Sequence, residues 1–293
     1  MRWVRGVVVL GLAGALVAVV PDGVSAVPAR ARCRPTVVVT NQGSGTVSTV
    51  DAKTRTKNPT DISVGTRPFW VEVTPDGKTA FVANQTSGTV STIDLKTRTK
   101  NPTDITVGTG PAFVAVTPDG KTAFVPNSFS GTVSTIDVKT RTRQPTDISV
   151  GSYPLGVAVT PDGKTAFVAN QDSGTVSTIA VKTRTKNPTD IPVGMTPTGV
   201  AVTPDGKTAF VANQDSGTVS TIAVKTRTRN PTDITVGAEP AGVAVTPDGK
   251  TALVANFRSG TVSTIDVKTR TKNPTDIPVG GLPTVVAVTP CRR

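Results

Sequence analysis

Histidine is absent from this 293-residue chain. That removes Ser-His-Asp and Cys-His nucleophiles, imidazole acid–base catalysis and histidine-ligated metals at one stroke. Two cysteines, Cys33 and Cys291, are too few for an all-cysteine zinc site. The sequence therefore predicts no catalytic residues, no metal and no cofactor. Its distinctive side chains are Arg67, Phe69, Trp70, Glu72, Phe113, Phe129, Tyr153, Glu239, Phe257 and Arg258. Aromatics make up only 4% of the chain, so where they fall matters. Rings with a few charges suit recognition of a protein or a glycan. Glu72 by itself makes neither an acid–base pair nor a metal site.

The elements that hold these residues repeat. The string GTVST begins at Gly45, Gly88, Gly131, Gly174, Gly217 and Gly260, a period of 43 residues with no insertion. Such a period means one supersecondary unit stacked on its own copies. In the copy from Pro154 to Gly194, GVAVT reads as an inner strand, and Pro161-Asp162-Gly163-Lys164 as a hairpin turn. TAFVAN and TVSTIAV follow as second and third strands; a basic KTRTKNP loop then leads to a fourth, DIPVG. Four short strands per unit, rich in Val and Thr and punctuated by turns, describe a propeller blade better than a β-helix coil.

Six copies predict an all-β, six-bladed β-propeller over residues 33–291. The N-terminal copy lacks an inner strand, and the C-terminus carries one spare, Val285–Thr289. Docking the spare beside Thr36–Asn41 closes the ring. Cys33 and Cys291 lie six periods apart, at the phase of the Asp in each PDG turn, so a disulfide between them would staple the closure. In the chain-entropy account so long a loop stabilises by up to about 5 kcal/mol.

Residues 1–26 read as a secretory signal: Arg2 and Arg5, an uncharged Gly6–Val20 stretch, then the small residues Val24-Ser25-Ala26. Residues 27–32 form a linker. The mature protein is expected outside the cytoplasm, secreted or held at the envelope, monomeric and without a membrane span.

The units resemble the YVTN β-propeller repeat family. The matching segments are Pro240 to Gly249, Val38-Val39-Thr40-Asn41, Ser259 to Asp266 and Ile277 to Gly280. The resemblance implies an extracytoplasmic, surface-layer-like propeller and supplies no catalytic residues. Departures are the Phe, Val or Leu at the Tyr position and the loss of an Asp at Ala180 and Ala223.

One face of such a ring is monotonous and the other variable. All six distinctive aromatics fall on the connections of the variable face or at the starts of inner strands. The expected ligand-binding residues are Arg67, Phe69, Trp70, Phe113, Phe129, Tyr153, Phe257 and Arg258, with Trp70 and Phe113 inclined toward packing. On the other face, 23 Lys/Arg stand against 15 Asp in the repeated loops and turns. An anionic polymer could bind that rim, though nothing there would stack on bases. The expectation is a non-enzymatic binding or scaffold module. Polyanion binding and a lactonase- or redox-type enzyme are the alternatives.

Overall fold

The computed structural model describes residues 7–11, 15–20, 36–51 and 54–284. Cys33, Cys291, the linker and Val285–Thr289 lie outside the described residues, as does any disulfide between the two cysteines. Among the described residues every regular element is a β-strand, and the strands form six separate antiparallel sheets. No helix of the described residues is long and apolar enough to cross a membrane.

Sheet four shows the pattern: Pro154–Val159 inside, then Thr165–Asn170, Thr175–Ala180 and an outer edge. That edge is split. Thr185–Lys186 pairs with the C-terminal half of the third strand, and Ile191–Pro192 pairs with its N-terminal half. The outer strand thus begins inside the stretch read from sequence as a basic loop. Asn187-Pro188 forces the break, because proline has no N–H for the ladder. A broken, charged edge also resists pairing with another chain.

Sheets pack face to face. Phe81, Phe124, Phe167 and Phe210 are fully buried, each against the valines of the following sheet. Burying one such ring stabilises by about 1.5–3 kcal/mol. Close behind each Phe sits a polar network. Asn170 donates to Thr175 Oγ1 at 3.0 Å and to Ser177 Oγ at 2.9 Å; Ser177 donates to Asp190, which pairs with Lys186 at 2.9 Å. This relay ties the second, third and outer strands together. Gly151 makes room for it, since a Cβ there would meet Asn170 Cγ at 2.7 Å.

Sheet one departs from expectation. Ala15–Val20, part of the stretch read as a secretory signal, pairs with Thr36–Asn41 along six residues, and Val7–Gly11 pairs with it on the side away from Thr36–Asn41. The slot assigned from sequence to Val285–Thr289 is thus held by Ala15–Val20. Among the described residues, the outward face of sheet six carries exposed apolar side chains. Ile277 and Val279 are 49% and 52% exposed, whereas Ile105, Ile148, Ile191 and Ile234 are 6–9% exposed.

Candidate functional site on the variable face

Each blade offers the variable face two loops. One enters the inner strand, through Arg67, Gly110, Tyr153, Thr196, Glu239 or Leu282, all with φ between 53° and 68°. The other follows the second strand. Serine anchors the pair: Ser87, Ser173, Ser216 and Ser259 accept the backbone N–H of Thr66, Ser152, Met195 and Ala238 at 2.6–2.7 Å. The rigid anchor brings the left-handed residue to the residue 19 further along. Thr196 donates to Asp215 at 2.5 Å, Arg258 pairs with Glu239 at 3.1 Å, and the ring of Phe129 covers Gly110. Reading the sequence missed these pairs, because their members belong to different loops. Their only signal was that both positions vary among the copies.

The expected binding residues separate into three groups. Phe69, Trp70 and Phe113 form one: Trp70 and Phe113 lie 4.1 Å apart, Phe69 and Phe113 6.1 Å. Trp70 and Phe113 are half-buried and pack against the hydrophobic cores of their sheets. They occupy the column of Gly156 and Gly199, where adjacent inner strands come so close that a Cβ would strike Thr198 O or Ala241 O. Here the large rings wedge neighbouring strands apart, and the inner strand of sheet three is reduced to Ala115–Val116. This is a packing role. The indole Nε1 of Trp70 is buried without a hydrogen-bond partner.

Phe129 and Tyr153 form the second group, with centroids 5.8 Å apart and planes inclined at 55°. Phe129 is 60% exposed, the most exposed ring of the described residues. Asp172 stands beside this pair: its N–H reaches Ser152 O, next to Tyr153, and its carboxylate is exposed. Phe257 and Arg258 form the third group, on the blade of Glu239. Arg67 is exposed on its loop, while Glu72 is half-buried on the inner strand Pro68–Val73 and engaged in an interaction of its own. Among the described residues no three carboxylates or thiols cluster tightly enough to hold a metal ion.

The opposite rim is less charged in effect than its count. Lys57, Lys100, Arg143, Lys186, Arg229 and Lys272 each pair with the Asp four residues on, at 2.6–2.9 Å. Lys78, Lys121, Lys164 and Lys207 lie 3.5–3.7 Å from the Asp of their own turns. Clefts between outer strands sit here too, one of about 520 Å³ lined by Asn187–Pro192 and Thr226–Arg229. Arg227 donates across it to Asn187 at 3.0 Å.

Radially packed four-stranded sheets define a β-propeller. The chain belongs to the family described as lactonase, 7-bladed beta-propeller, whose profile matches residues 36–150, 97–196 and 193–279. The described residues hold six of its sheets. Among solved structures, the hydrazine synthase of Kuenenia stuttgartiensis is similar, at 23% identity and a TM-score of 0.77 over 85% of each chain. A functionally unknown protein from Desulfotomaculum acetoxidans matches at 14% identity and 0.74, over 98% of this chain and 100% of its own. No curated protein matches. These likenesses support the propeller fold. The family match overturns the expectation of a non-enzymatic module: this propeller groups with enzyme-type propellers.

Proposed function

We propose that this protein is a propeller enzyme that opens a cyclic ester on its variable face, at Phe129, Tyr153 and Asp172. The observation that carries the reading is the lactonase-family match, whose overlapping stretches run from residue 36 to residue 279. Ester hydrolysis needs a surface for the ring, a base for the attacking water and a donor for the departing oxygen. The exposed face of Phe129, braced by Tyr153, supplies an apolar surface. With no histidine in the chain, we assign the base to a carboxylate, and Asp172 is the exposed one beside this pair. In the proposed reaction water oxygen bonds to the ester carbon as its proton passes to Asp172. The ring C–O bond then breaks, the proton goes on to the leaving oxygen, and a hydroxy acid departs.

The test is ring opening of five- and six-membered lactones, followed by acid release. Asp172→Asn should lower kcat/KM by about 100-fold or more, the usual scale for a general base, with an unchanged melting temperature. Phe129→Ala should raise KM. No turnover by the wild type, or equal turnover by Asp172→Asn, would refute the assignment. Loss in Glu72→Gln alone would move the site to the inner strand.

A further inference from the structure

Met195 is the most exposed large apolar side chain of the described residues, at 63%. It stands at the entry to the inner strand of sheet five, where the other copies carry Thr66, Thr109, Ser152, Ala238 and Gly281. The fold does not ask for a long side chain there. The Met195 backbone N–H is held by Ser216 Oγ at 2.7 Å, as that of Ser152 is by Ser173. Left in water the thioether gains no burial; hydrocarbon laid over it would supply that gain.

Two contacts place it beside the proposed reaction surface. Ser128 Oγ donates to Pro154 O at 2.9 Å, which ties the loop of Phe129 to the entry of sheet four at Tyr153. Gly156 and Thr198 then bring the inner strands of sheets four and five so close that no Cβ fits between them. The entry loops of Tyr153 and Met195 are therefore neighbours, and Phe129, Tyr153 and Met195 lie along one arc of the variable face. The charge on this arc is one-sided. Its loops, 109–110, 128–130, 152–153, 171–173, 195–196 and 214–216, contain Asp172 and Asp215 but no Lys or Arg, in a chain of net charge +12. Both carboxylates are exposed, and Asp215 is fixed by the Thr196 hydroxyl.

We propose that Met195 is a specificity determinant: the lactone carries an uncharged apolar chain that leaves the ring at Phe129 and Tyr153 and lies over Met195. Asp172 and Asp215 select against a chain that ends in a carboxylate or phosphate, because like charges brought together oppose binding. The inference rests on the reaction surface proposed above and adds the class of substrate that this surface takes.

Ring opening of three five-membered lactones, bearing a methyl, a hexyl or a carboxypentyl chain, tests it. The hexyl lactone should exceed the methyl one by about 10-fold in kcat/KM, through KM, as expected when hydrocarbon covers an exposed side chain. Met195→Ser, which copies Ser152, should bring that ratio close to one. The carboxypentyl lactone should be about 10-fold poorer than the hexyl one, and Asp215→Asn should narrow that gap by about 3-fold. A hexyl preference that is absent, or unchanged in Met195→Ser, would overturn the proposal, as would equal opening of the carboxypentyl lactone. A second measurement does not need turnover. Met1 is the only other methionine, so 13C-methyl labelling reports Met195 directly. The hexyl lactam, which resists hydrolysis, should shift that resonance saturably, and the methyl lactam should not. An unmoved resonance would overturn the inference. A shifted one without any ring opening would uphold the chain site while refuting the reaction.

Discussion

Gly110 lies beneath the ring of Phe129: a Cβ at 110 would fall 2.6 Å from Cδ2 and 2.7 Å from Cγ. The same two positions hold Thr196 with Asp215 and Glu239 with Arg258, each pair in contact. These three copies thus place different contacting pairs on a constant frame, so a repeat protein can change its face while keeping its packing.

Gly110→Ala meets both a steric barrier and a backbone at φ +68°. It should cost about 1–2 kcal/mol in denaturant unfolding. Phe129→Ala in the same background should recover the steric share and leave the backbone share, giving a non-additive double-mutant cycle. Strict additivity would mean that the ring does not rest on Gly110.

A second glycine tests the buried relay. A Cβ on Gly194 would sit 2.7 Å from Cγ of Asn213, whose amide is held by Thr218 at 3.1 Å and Ser220 at 2.9 Å. Gly194→Ala should destabilise by about 1–3 kcal/mol, the usual cost of overpacking. Gly43→Ala is the control, with nothing within 4 Å of its Cβ, and should stay within about 0.5 kcal/mol. Equal effects would contradict the relay's rigidity.

Acid should unfold the protein through its turns. The Thr160 hydroxyl, outweighing partial burial and joined by the Lys164 N–H, holds Asp162 below the ordinary 3.8. The Thr140 N–H and hydroxyl do the same for Asp137. A carboxylate with a lowered folded pKa adds stability that is present above its unfolded value and lost as pH falls through the folded one. Stability should therefore hold from pH 7 to 5 and decline below about 3.8. Asp162→Asn should flatten part of that decline; an unchanged acid profile in this variant would show that the turn does not contribute.

The rim makes a prediction of opposite sense. Since Lys186 and Arg229 are paired with Asp190 and Asp233, removing the acids frees the cations. Asp190→Asn with Asp233→Asn should tighten binding to single-stranded DNA by roughly 3-fold at low salt, with a steeper salt dependence. No change would mean that the paired cations already face solvent in full.

Much of this architecture was legible in the sequence, because a fixed period, Asp-Gly turns and alternating Val are local signals. The split outer edge was harder to see: Thr185–Lys186 is only two residues long and sits in a stretch whose charge reads as loop. The place of Ala15–Val20 in sheet one was hidden for a related reason. An uncharged run of Val, Ala and Leu satisfies an export signal and an inner strand equally well. On the variable face the sequence located the aromatics but not their partners. The 4.1 Å Trp70–Phe113 stacking and the placing of Asp172 beside Tyr153 depend on how separate strands and loops are brought together.

The account rests most directly on turnover of a lactone at the Phe129–Tyr153 surface. Kinetics of acid release should show saturable opening by the wild type. A folded Phe129→Ala/Tyr153→Ala double variant should lose about 10-fold or more of kcat/KM, as expected when two ring contacts to the substrate are removed. Identical kinetics in the two proteins, or no opening by either, would contradict it.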